Sequence, residues 1–302
     1  MYLSFYHLRR KPFDINADPA FLWPGEKQLE VLNAFKYGLL NNKGFILITG
    51  DVGTGKTTLV NALLKALKTR TVVCNMPYPN IDEADFYKIL IDAYELDFSF
   101  TTKGEFSNHF YQFLLDARRQ KKRVLLIIDE AQRLSNELLE EIRLLSNMEH
   151  HHQKLINIFL IGQNEFNDTL RRQENRAIRQ RISYMYTLEP LDMEETRTYI
   201  KHRLKVAGSD EELFESAATK LVHEATQGYP RLINILCDQA LLTGFVGGKQ
   251  RVSEDVISES IKDLPIHFEN HGKRKSKFLS WRHLFGLMVG LAIMTAGIFL
   301  AI

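Results

Sequence analysis

The sequence predicts an α/β protein in which a parallel sheet lies between two layers of helices and a smaller all-helical region follows. Two observations predict this fold class. Up to about residue 190, short continuous apolar runs alternate with helical patterns, which is typical of parallel strands buried on both faces. From Asp192 onward the pattern becomes wholly helical. We therefore expect a three-layer domain followed by a helical lid.

The expected elements follow in chain order. The candidate strands are short apolar runs, at residues 45–49, 71–74, 124–128, 155–161 and 184–188. The candidate helices of the first part are 26–40, 57–68, 82–95, 105–119 and 135–148. Those of the lid are 192–206, 210–226, 230–245 and 253–262, with Asp192 and Ser253 as N-caps and Gly208 and Gly228 as stops.

These elements divide the chain into five regions. They are an N-terminal segment at 1–44, an α/β domain at 45–190, a helical lid at 191–264, a basic linker at 265–283 and an apolar end at 284–302. The last 19 residues carry no formal charge, and about 20 such residues cross a bilayer as a helix. Trp281 and a cluster of five basic residues precede them, so the positive-inside rule keeps the remainder of the chain in the cytosol.

The charge balance argues against nucleic acid as a partner. Residues 273–302 contain five basic residues and no acidic one, so without them the formal net charge of +2 becomes −3. Binding driven by phosphate contacts requires a basic surface. We therefore expect a membrane-anchored protein rather than one that binds DNA.

A glycine-rich loop, G-x-x-x-x-G-K-T, lies directly between the first apolar run and a helical pattern. In that context backbone N–H groups and the helix N-terminus bind phosphate oxygens. Lys56 can reach the β- and γ-phosphates of a nucleotide, and the Thr57 hydroxyl can ligate Mg²⁺. The expected nucleotide-binding residues are Gly50, Asp51, Val52, Gly53, Thr54, Gly55, Lys56, Thr57 and Thr58.

Two acids, Asp129 and Glu130, end the apolar run 124–128. In a parallel sheet that strand end lies beside the phosphate loop, where Asp129 can hold Mg²⁺ through water and Glu130 can orient the attacking water. Gln163 and Asn164 end the next run. Either amide could hold the water or sense the γ-phosphate, and either could equally be a turn residue.

Arginines are candidates for stabilising the charge on a transferred phosphoryl group. Arg176, Arg179 and Arg181 precede the fifth strand; Arg181 is the first choice and Arg179 the second. Arg231 begins a lid helix, from which it could reach the γ-phosphate or remain a surface residue.

The chain also resembles a known family, the AAA+ ATPases of the general secretion pathway protein A (ExeA) type. The similarity extends from residue 1 to about residue 265. The segments that carry it are Met1-Tyr2-Leu3-Ser4-Phe5-Tyr6, Lys11-Pro12-Phe13, Asp18-Pro19-Ala20-Phe21-Leu22, Gly44-Phe45-Ile46-Leu47-Ile48-Thr49-Gly50, Asp129-Glu130-Ala131-Gln132, Ile161-Gly162-Gln163, Arg179-Gln180-Arg181-Ile182 and Gly228-Tyr229-Pro230-Arg231.

The resemblance implies a P-loop NTPase that uses ATP and Mg²⁺, with a Walker A loop and a Walker B strand. It further implies Gln163 as sensor 1, Arg181 as the arginine finger of a ring-forming homo-oligomer, and Arg231 as sensor 2. Similar proteins sit in the bacterial inner membrane and help partner proteins build secretion, pilus or polysaccharide-export systems. The alternatives are a DNA-binding ATPase related to transposition-target regulators and a nucleotide-gated scaffold.

Overall fold

Five strands form one parallel sheet in the computed structural model, which describes residues 1–67 and 70–264. They are β1 Phe45–Gly50, β2 Thr71–Met76, β3 Arg123–Ile128, β6 Ile156–Gly162 and β7 Ile182–Leu188, and a hairpin of β4 Glu149–His150 and β5 Gln153–Lys154 lies between β3 and β6 in the chain. The order across the sheet is β2-β3-β6-β1-β7. The predicted α/β class with a parallel sheet is confirmed.

Twelve α-helices accompany the strands within the described ranges. They are α1 Tyr2–Phe5, α2 Glu26–Leu40, α3 Lys56–Ala66, α4 Glu83–Ala93, α5 Lys103–Arg119, α6 Asn136–Leu145, α7 Glu165–Arg171, α8 Arg176–Arg179, α9 Met193–Val206, α10 Ser216–Thr226, α11 Pro230–Val246 and α12 Glu254–Asp263. Short 3₁₀ helices occur at Pro19–Phe21, Ala131–Arg133 and Gln173–Asn175. The sequence did not predict α1, α7, α8 or the β4–β5 hairpin.

The sheet buries both of its faces. Alternate residues of β1 point to opposite sides: Phe45 and Leu47 pack with helices α4, α5 and α6, whereas Ile46 and Ile48 pack with α2 and α3. All six residues of β1 are buried. This two-sided burial explains why the strands appear in the sequence as continuous apolar runs rather than as alternating ones.

One lid helix begins later than predicted. The pattern indicated a helix from residue 210, but α10 begins at Ser216. The preceding residues are extended because Phe214 forms a parallel bridge with Val252, and Val252 N–H donates to Leu213 O at 2.7 Å. Leu213 and Phe214 are each 3% exposed, so burial beside the Val252 segment competes successfully with helix formation.

The N-terminal segment joins the lid rather than standing apart. Arg9 N–H donates to Ala207 O at 2.8 Å, and the Tyr6 hydroxyl donates to Lys249 O at 3.0 Å. The guanidinium of Arg203, a residue only 4% exposed, donates to Pro12 O at 2.5 Å and to Asp14 O at 2.9 Å. The segment therefore continues from the lid surface to α2, which packs on the sheet.

Gly228 connects α10 to α11 at a position where only glycine fits. Its φ is +75°, and a Cβ atom there would lie 1.8 Å from Leu191 O. We expect Gly228→Ala to lower the free energy of unfolding by at least ~2 kcal/mol, because positive φ and a main-chain clash add together. Urea denaturation followed by circular dichroism measures this.

The matched control is Gly248→Ala. Gly248 also has positive φ, +63°, but a Cβ there would meet nothing within 4 Å. Only backbone strain of about 1 kcal/mol is then expected. Equal denaturation midpoints for the two variants would contradict the role assigned to the Gly228–Leu191 contact.

The predicted linker 265–283 and membrane span 284–302 lie outside the described residues. Within residues 1–67 and 70–264, none of the helices combines the length and the apolar character that crossing a membrane requires.

Candidate functional site

The phosphate loop lies between β1 and α3, as its sequence pattern predicts. β1 ends at Gly50 and α3 begins at Lys56. Gly53 and Gly55 have φ values of +86° and +95°, which allow the chain to turn from strand to helix in five residues. The backbone N–H groups at the start of α3 thus point toward the cavity that the loop borders.

Lys56 is held inside this loop. Its Nζ donates to Gly50 O at 2.7 Å and to Asp51 O at 2.9 Å, and the residue is only 8% exposed. Burial lowers the pKa of the ammonium group, while the nearby acids Glu130 and Asp129 act in the opposite direction. An ammonium group placed at the end of such a cavity is positioned to contact phosphate oxygens.

Thr57 and Asp129 meet beside Lys56. The Thr57 hydroxyl donates to Asp129 Oδ2 at 3.2 Å, and Asp129 Oδ1 accepts from Glu130 N–H at 2.9 Å. Burial raises the pKa of Asp129, since the charged carboxylate lies in a water-poor site. A hydroxyl and a carboxylate are the hard oxygen ligands that Mg²⁺ prefers.

This pair fits the protein share of a nucleotide-bound Mg²⁺. Among residues 1–67 and 70–264 there is no group of three or more His, Cys, Asp or Glu side chains that could hold a metal. Mg²⁺ is usually held by one or two protein ligands together with phosphates and water. Thr57 and Asp129 would supply that protein share.

Glu130, the residue after Asp129, lines the same cavity. Its backbone lies in the left-handed region, with φ +54° and ψ +38°, an arrangement that costs on the order of 1–3 kcal/mol and occurs preferentially at functional sites. Its Oε2 accepts from Gln132 Nε2 at 2.6 Å and from Gln163 Nε2 at 3.3 Å. Gln132 Oε1 in turn accepts from Gln163 N–H at 2.9 Å.

Gln163 and Asn164, whose roles the sequence did not decide, have different hydrogen-bond partners. Gln163 contacts Glu130, whereas Asn164 Nδ2 donates to Asp51 Oδ1 at 2.6 Å. The other oxygen of Asp51, Oδ2, accepts from the Tyr229 hydroxyl at 2.9 Å. Asp51 therefore links the end of β6 to the start of the lid helix α11. The sequence analysis named Gln132 and Tyr229 only within the segments that carry the family resemblance. It gave them no role, because each acts through contacts between distant parts of the chain.

Arg231 lies at the first turn of α11, directly over the phosphate loop. Its N–H donates to Gly53 O at 3.2 Å, and a Cβ atom on Gly53 would lie 2.9 Å from the Cβ of Arg231. Arg231 also lines the cavity, together with Lys56, Glu130 and Gln163. These four predicted site residues are thus brought together.

The structure separates the other three arginines from this group. The cavity lining contains none of Arg176, Arg179 and Arg181 among its described residues. Arg176 and Arg179 are exposed and Arg181 is half-buried at the beginning of β7. None of the three therefore lines the cavity of its own chain.

The cavity has a volume of about 330 Å³ and extends from the phosphate loop to the N-terminal segment. At that far end it is lined by Ile15, Asn16, Ala17, Phe21, Leu22, Trp23, Leu191 and Tyr199. The guanidinium of Arg203 lies 4.5 Å from the ring centroid of Phe21, so the same arginine that holds the segment also supports the wall. The sequence analysis assigned no role to these residues, although the aromatic residues and prolines concentrated at the start of the chain were a signal that could have drawn attention to them.

Comparison with known proteins agrees with this geometry. A family model described as an AAA domain matches residues 40–170. General secretion pathway protein A of Aeromonas hydrophila is 35% identical over 300 residues, which cover 97% of this chain. The chain belongs to the ExeA-type family of AAA+ ATPases. It spans 52% of the length of the Aeromonas protein.

Two solved structures share the fold. The Aeropyrum pernix ORC2 protein, in ADPNP–ADP complexes, superposes with a TM-score of 0.62 at 18% identity, covering 84% of this chain and 71% of its own. The Thermotoga maritima RuvB Holliday junction branch migration motor superposes with a TM-score of 0.55 at 18% identity, covering 88% and 82%. At such identities the similarity establishes the AAA+ fold of this family member and nothing further.

Proposed function

We propose that this ExeA-type chain binds ATP with Mg²⁺ in the cavity and hydrolyses it. The observation that carries the proposal is the placement of Glu130. Its carboxylate is oriented by Gln132 and Gln163 at the same cavity that Lys56 and Thr57 line. A protein that only bound nucleotide would need the phosphate loop but not an acid oriented beside it to activate water.

The residues divide the chemistry between them. Lys56 and the loop N–H groups would bind the phosphates, and Thr57 with Asp129 would hold Mg²⁺, which supplies positive charge as the γ-phosphoryl group is transferred. Glu130 would orient a water for in-line attack and accept its proton. Gln163, bonded to Glu130, is placed to keep that carboxylate in position, and Arg231 to link the lid to the nucleotide.

Release of phosphate from ATP by the full chain tests this proposal. We expect release to require Mg²⁺ and to be lost in Lys56→Ala, because that variant lacks the cation at the β- and γ-phosphates. Release that continues unchanged in Lys56→Ala would place the activity outside this cavity.

A complete site would need a second copy of the chain. We infer that the chain forms a homo-oligomeric ring in which Arg181 of one subunit serves the cavity of the next. Two observations support this inference. The cavity lining of one chain does not include Arg176, Arg179 or Arg181. In addition, a phosphoryl-transfer site commonly receives an arginine from a neighbouring subunit.

We further propose that the ATPase works at the bacterial inner membrane, on the cytosolic side, in assembling an envelope secretion, pilus or polysaccharide-export system. The name of the Aeromonas relative supports the general secretion setting, and the uncharged end of the sequence supports an anchor. A DNA-binding role has less support, because the chain without residues 273–302 has a formal net charge of −3.

Membrane fractionation tests the anchor. The full chain is expected in the membrane fraction after alkaline carbonate extraction, and a chain ending at Pro265 in the supernatant. A full-length variant with Leu291→Arg and Ile293→Arg is the matched control. It is expected in the supernatant, because each arginine at the centre of a span raises the free energy of membrane insertion by about 2.5–3.5 kcal/mol. Full-length parent chain found entirely in the supernatant would refute the anchor.

A further inference from the structure

The lid helix α11 borders the cavity together with the phosphate loop. Pro230, Arg231 and Asn234 line the cavity from this helix, and Lys56 lines it from the loop. The two elements also touch through their main chains, since Arg231 N–H donates to Gly53 O at 3.2 Å. A nucleotide bound in the cavity, as the proposed function requires, is therefore enclosed by residues of both. The inference below rests on that proposed function.

The side chain of Asp51, in the phosphate loop, is held in place from the sheet. Strands β1 and β6 pair in parallel, with Thr49 beside Gly162. Asp51 and Asn164 each lie two residues further on, so they leave the sheet side by side. Asn164 Nδ2 donates to Asp51 Oδ1 at 2.6 Å. This bond fixes the orientation of the carboxylate and turns its second oxygen, Oδ2, toward a different partner.

That partner belongs to the lid. The Tyr229 hydroxyl donates to Asp51 Oδ2 at 2.9 Å. Tyr229 is the N-cap residue of α11, so it directly precedes the residues of that helix that line the cavity. A hydrogen bond to a charged group contributes about twice as much as one between neutral groups. Because Asn164 fixes the carboxylate relative to the sheet, the bond to Tyr229 resists movement of the start of α11 away from the loop.

We propose that Asp51 is a positioning residue that slows the release of bound nucleotide: its carboxylate fastens the start of α11 to the phosphate loop through the Tyr229 hydroxyl. The side chain acts on the nucleotide through the lid and not by touching it. Its charge supports this division, because a carboxylate repels the negatively charged phosphates and accepts hydrogen bonds without donating any. The side chain of Asp51 therefore determines how long the nucleotide stays bound.

The release rate of mant-ADP, a fluorescent derivative of ADP, tests the proposal in the full-length chain. The protein is loaded with mant-ADP and Mg²⁺, excess ADP is added, and the fall in fluorescence gives the rate. Tyr229→Phe keeps the ring and removes only the hydroxyl. We expect it to release mant-ADP at least about tenfold faster than the parent chain, the effect of losing one hydrogen bond to a charged group. In a chain that already carries Asp51→Ala, adding Tyr229→Phe should leave the rate nearly unchanged, because the two residues act through one contact.

Tyr6→Phe is the matched control. The Tyr6 hydroxyl also bonds to the lid region, at Lys249 O, but Tyr6 is not among the described residues that line the cavity. The variant loses the same chemical group and should release mant-ADP at the parent rate. Equally fast release from Tyr6→Phe and Tyr229→Phe would show a general loosening of the lid and would overturn the inference.

The remaining outcomes separate the inference from the proposed function. Release from Tyr229→Phe at the parent rate would overturn the inference alone. Equal acceleration by Tyr229→Phe with and without Asp51→Ala would overturn it too, because the hydroxyl would then act through another partner. If Asp51→Ala fails to fold, the comparison of Tyr229→Phe with Tyr6→Phe decides by itself. A parent chain that binds no mant-ADP would overturn both the inference and the proposed function.

Discussion

Glu130→Gln is expected to bind ATP as tightly as the parent chain and to hydrolyse it about 10²- to 10⁴-fold more slowly, the range for loss of a general base. The contacts that we propose for Lys56, Thr57 and Asp129 with phosphate and Mg²⁺ do not involve this carboxylate. Glutamine can still accept a hydrogen bond from Gln132, so the loop geometry should survive. Nucleotide binding by calorimetry and phosphate release, measured on one preparation, separate the two effects.

Glu165→Gln is the matched control for that variant. Glu165 is exposed at the start of α7 and, like Glu130, contributes negative potential at Lys56, but it does not line the cavity. It should hydrolyse ATP at nearly the parent rate. Hydrolysis by Glu130→Gln at the parent rate would show that Glu130 does not activate the water.

Arg181→Ala is expected to bind ATP like the parent chain and to hydrolyse it about 10³- to 10⁵-fold more slowly, the range for loss of an arginine finger. Lys56→Ala is expected to be inactive for the different reason that it cannot hold the phosphates. Mixed in equal amounts, the two inactive chains should recover activity at about a quarter of the sites, because a head-to-tail ring places some intact cavities beside intact arginines.

The same mixing experiment decides among the three arginines. Arg176→Ala and Arg179→Ala can replace Arg181→Ala in it, and Arg171→Ala is the control, since Arg171 is exposed and paired with Asp168 at 2.9 Å. Absence of recovery in every mixture, with each variant folded, would contradict a site shared between subunits.

The sheet was predictable because burial on both faces leaves a simple signature. Each strand appears as an uninterrupted apolar run, and the predicted ends lie within two residues of those observed. Asp192 was predictable as an N-cap for a similar reason: its side chain accepts from Glu195 N–H, while Glu195 bonds back to Asp192 N–H. Both signals depend only on residues close in sequence.

Features that depend on distant partners were not predictable in this way. The extended segment at Leu213 reflects its pairing with Val252, and the position of the N-terminal segment reflects the hydrogen bonds from Arg203 to Pro12 O and Asp14 O. Short helices such as α8, with four residues, are too brief to show a period.

The same distinction between local patterns and distant contacts applies to the candidate site. The meeting of its phosphate-loop and acidic residues was predictable, because the phosphate loop and the acidic strand end are local patterns that a parallel sheet brings to the same edge. It joins Lys56 and Thr57 with Asp129 and Glu130. The contacts of Gln132 and Tyr229 were not predictable, because each joins residues far apart in the chain: Gln132 accepts from Gln163 N–H, and the Tyr229 hydroxyl donates to Asp51.

The most direct measurement is an experimental structure of full-length Glu130→Gln with ATP and Mg²⁺. We predict intact ATP in the cavity, with Lys56 Nζ within about 2.6–3.2 Å of the β- or γ-phosphate and a single water between the residue 130 side chain and the γ-phosphorus. Thr57 should contact the metal ion. ATP bound away from Lys56, or a γ-phosphate that the side chain of residue 130 cannot reach through one water, would contradict a hydrolytic site here.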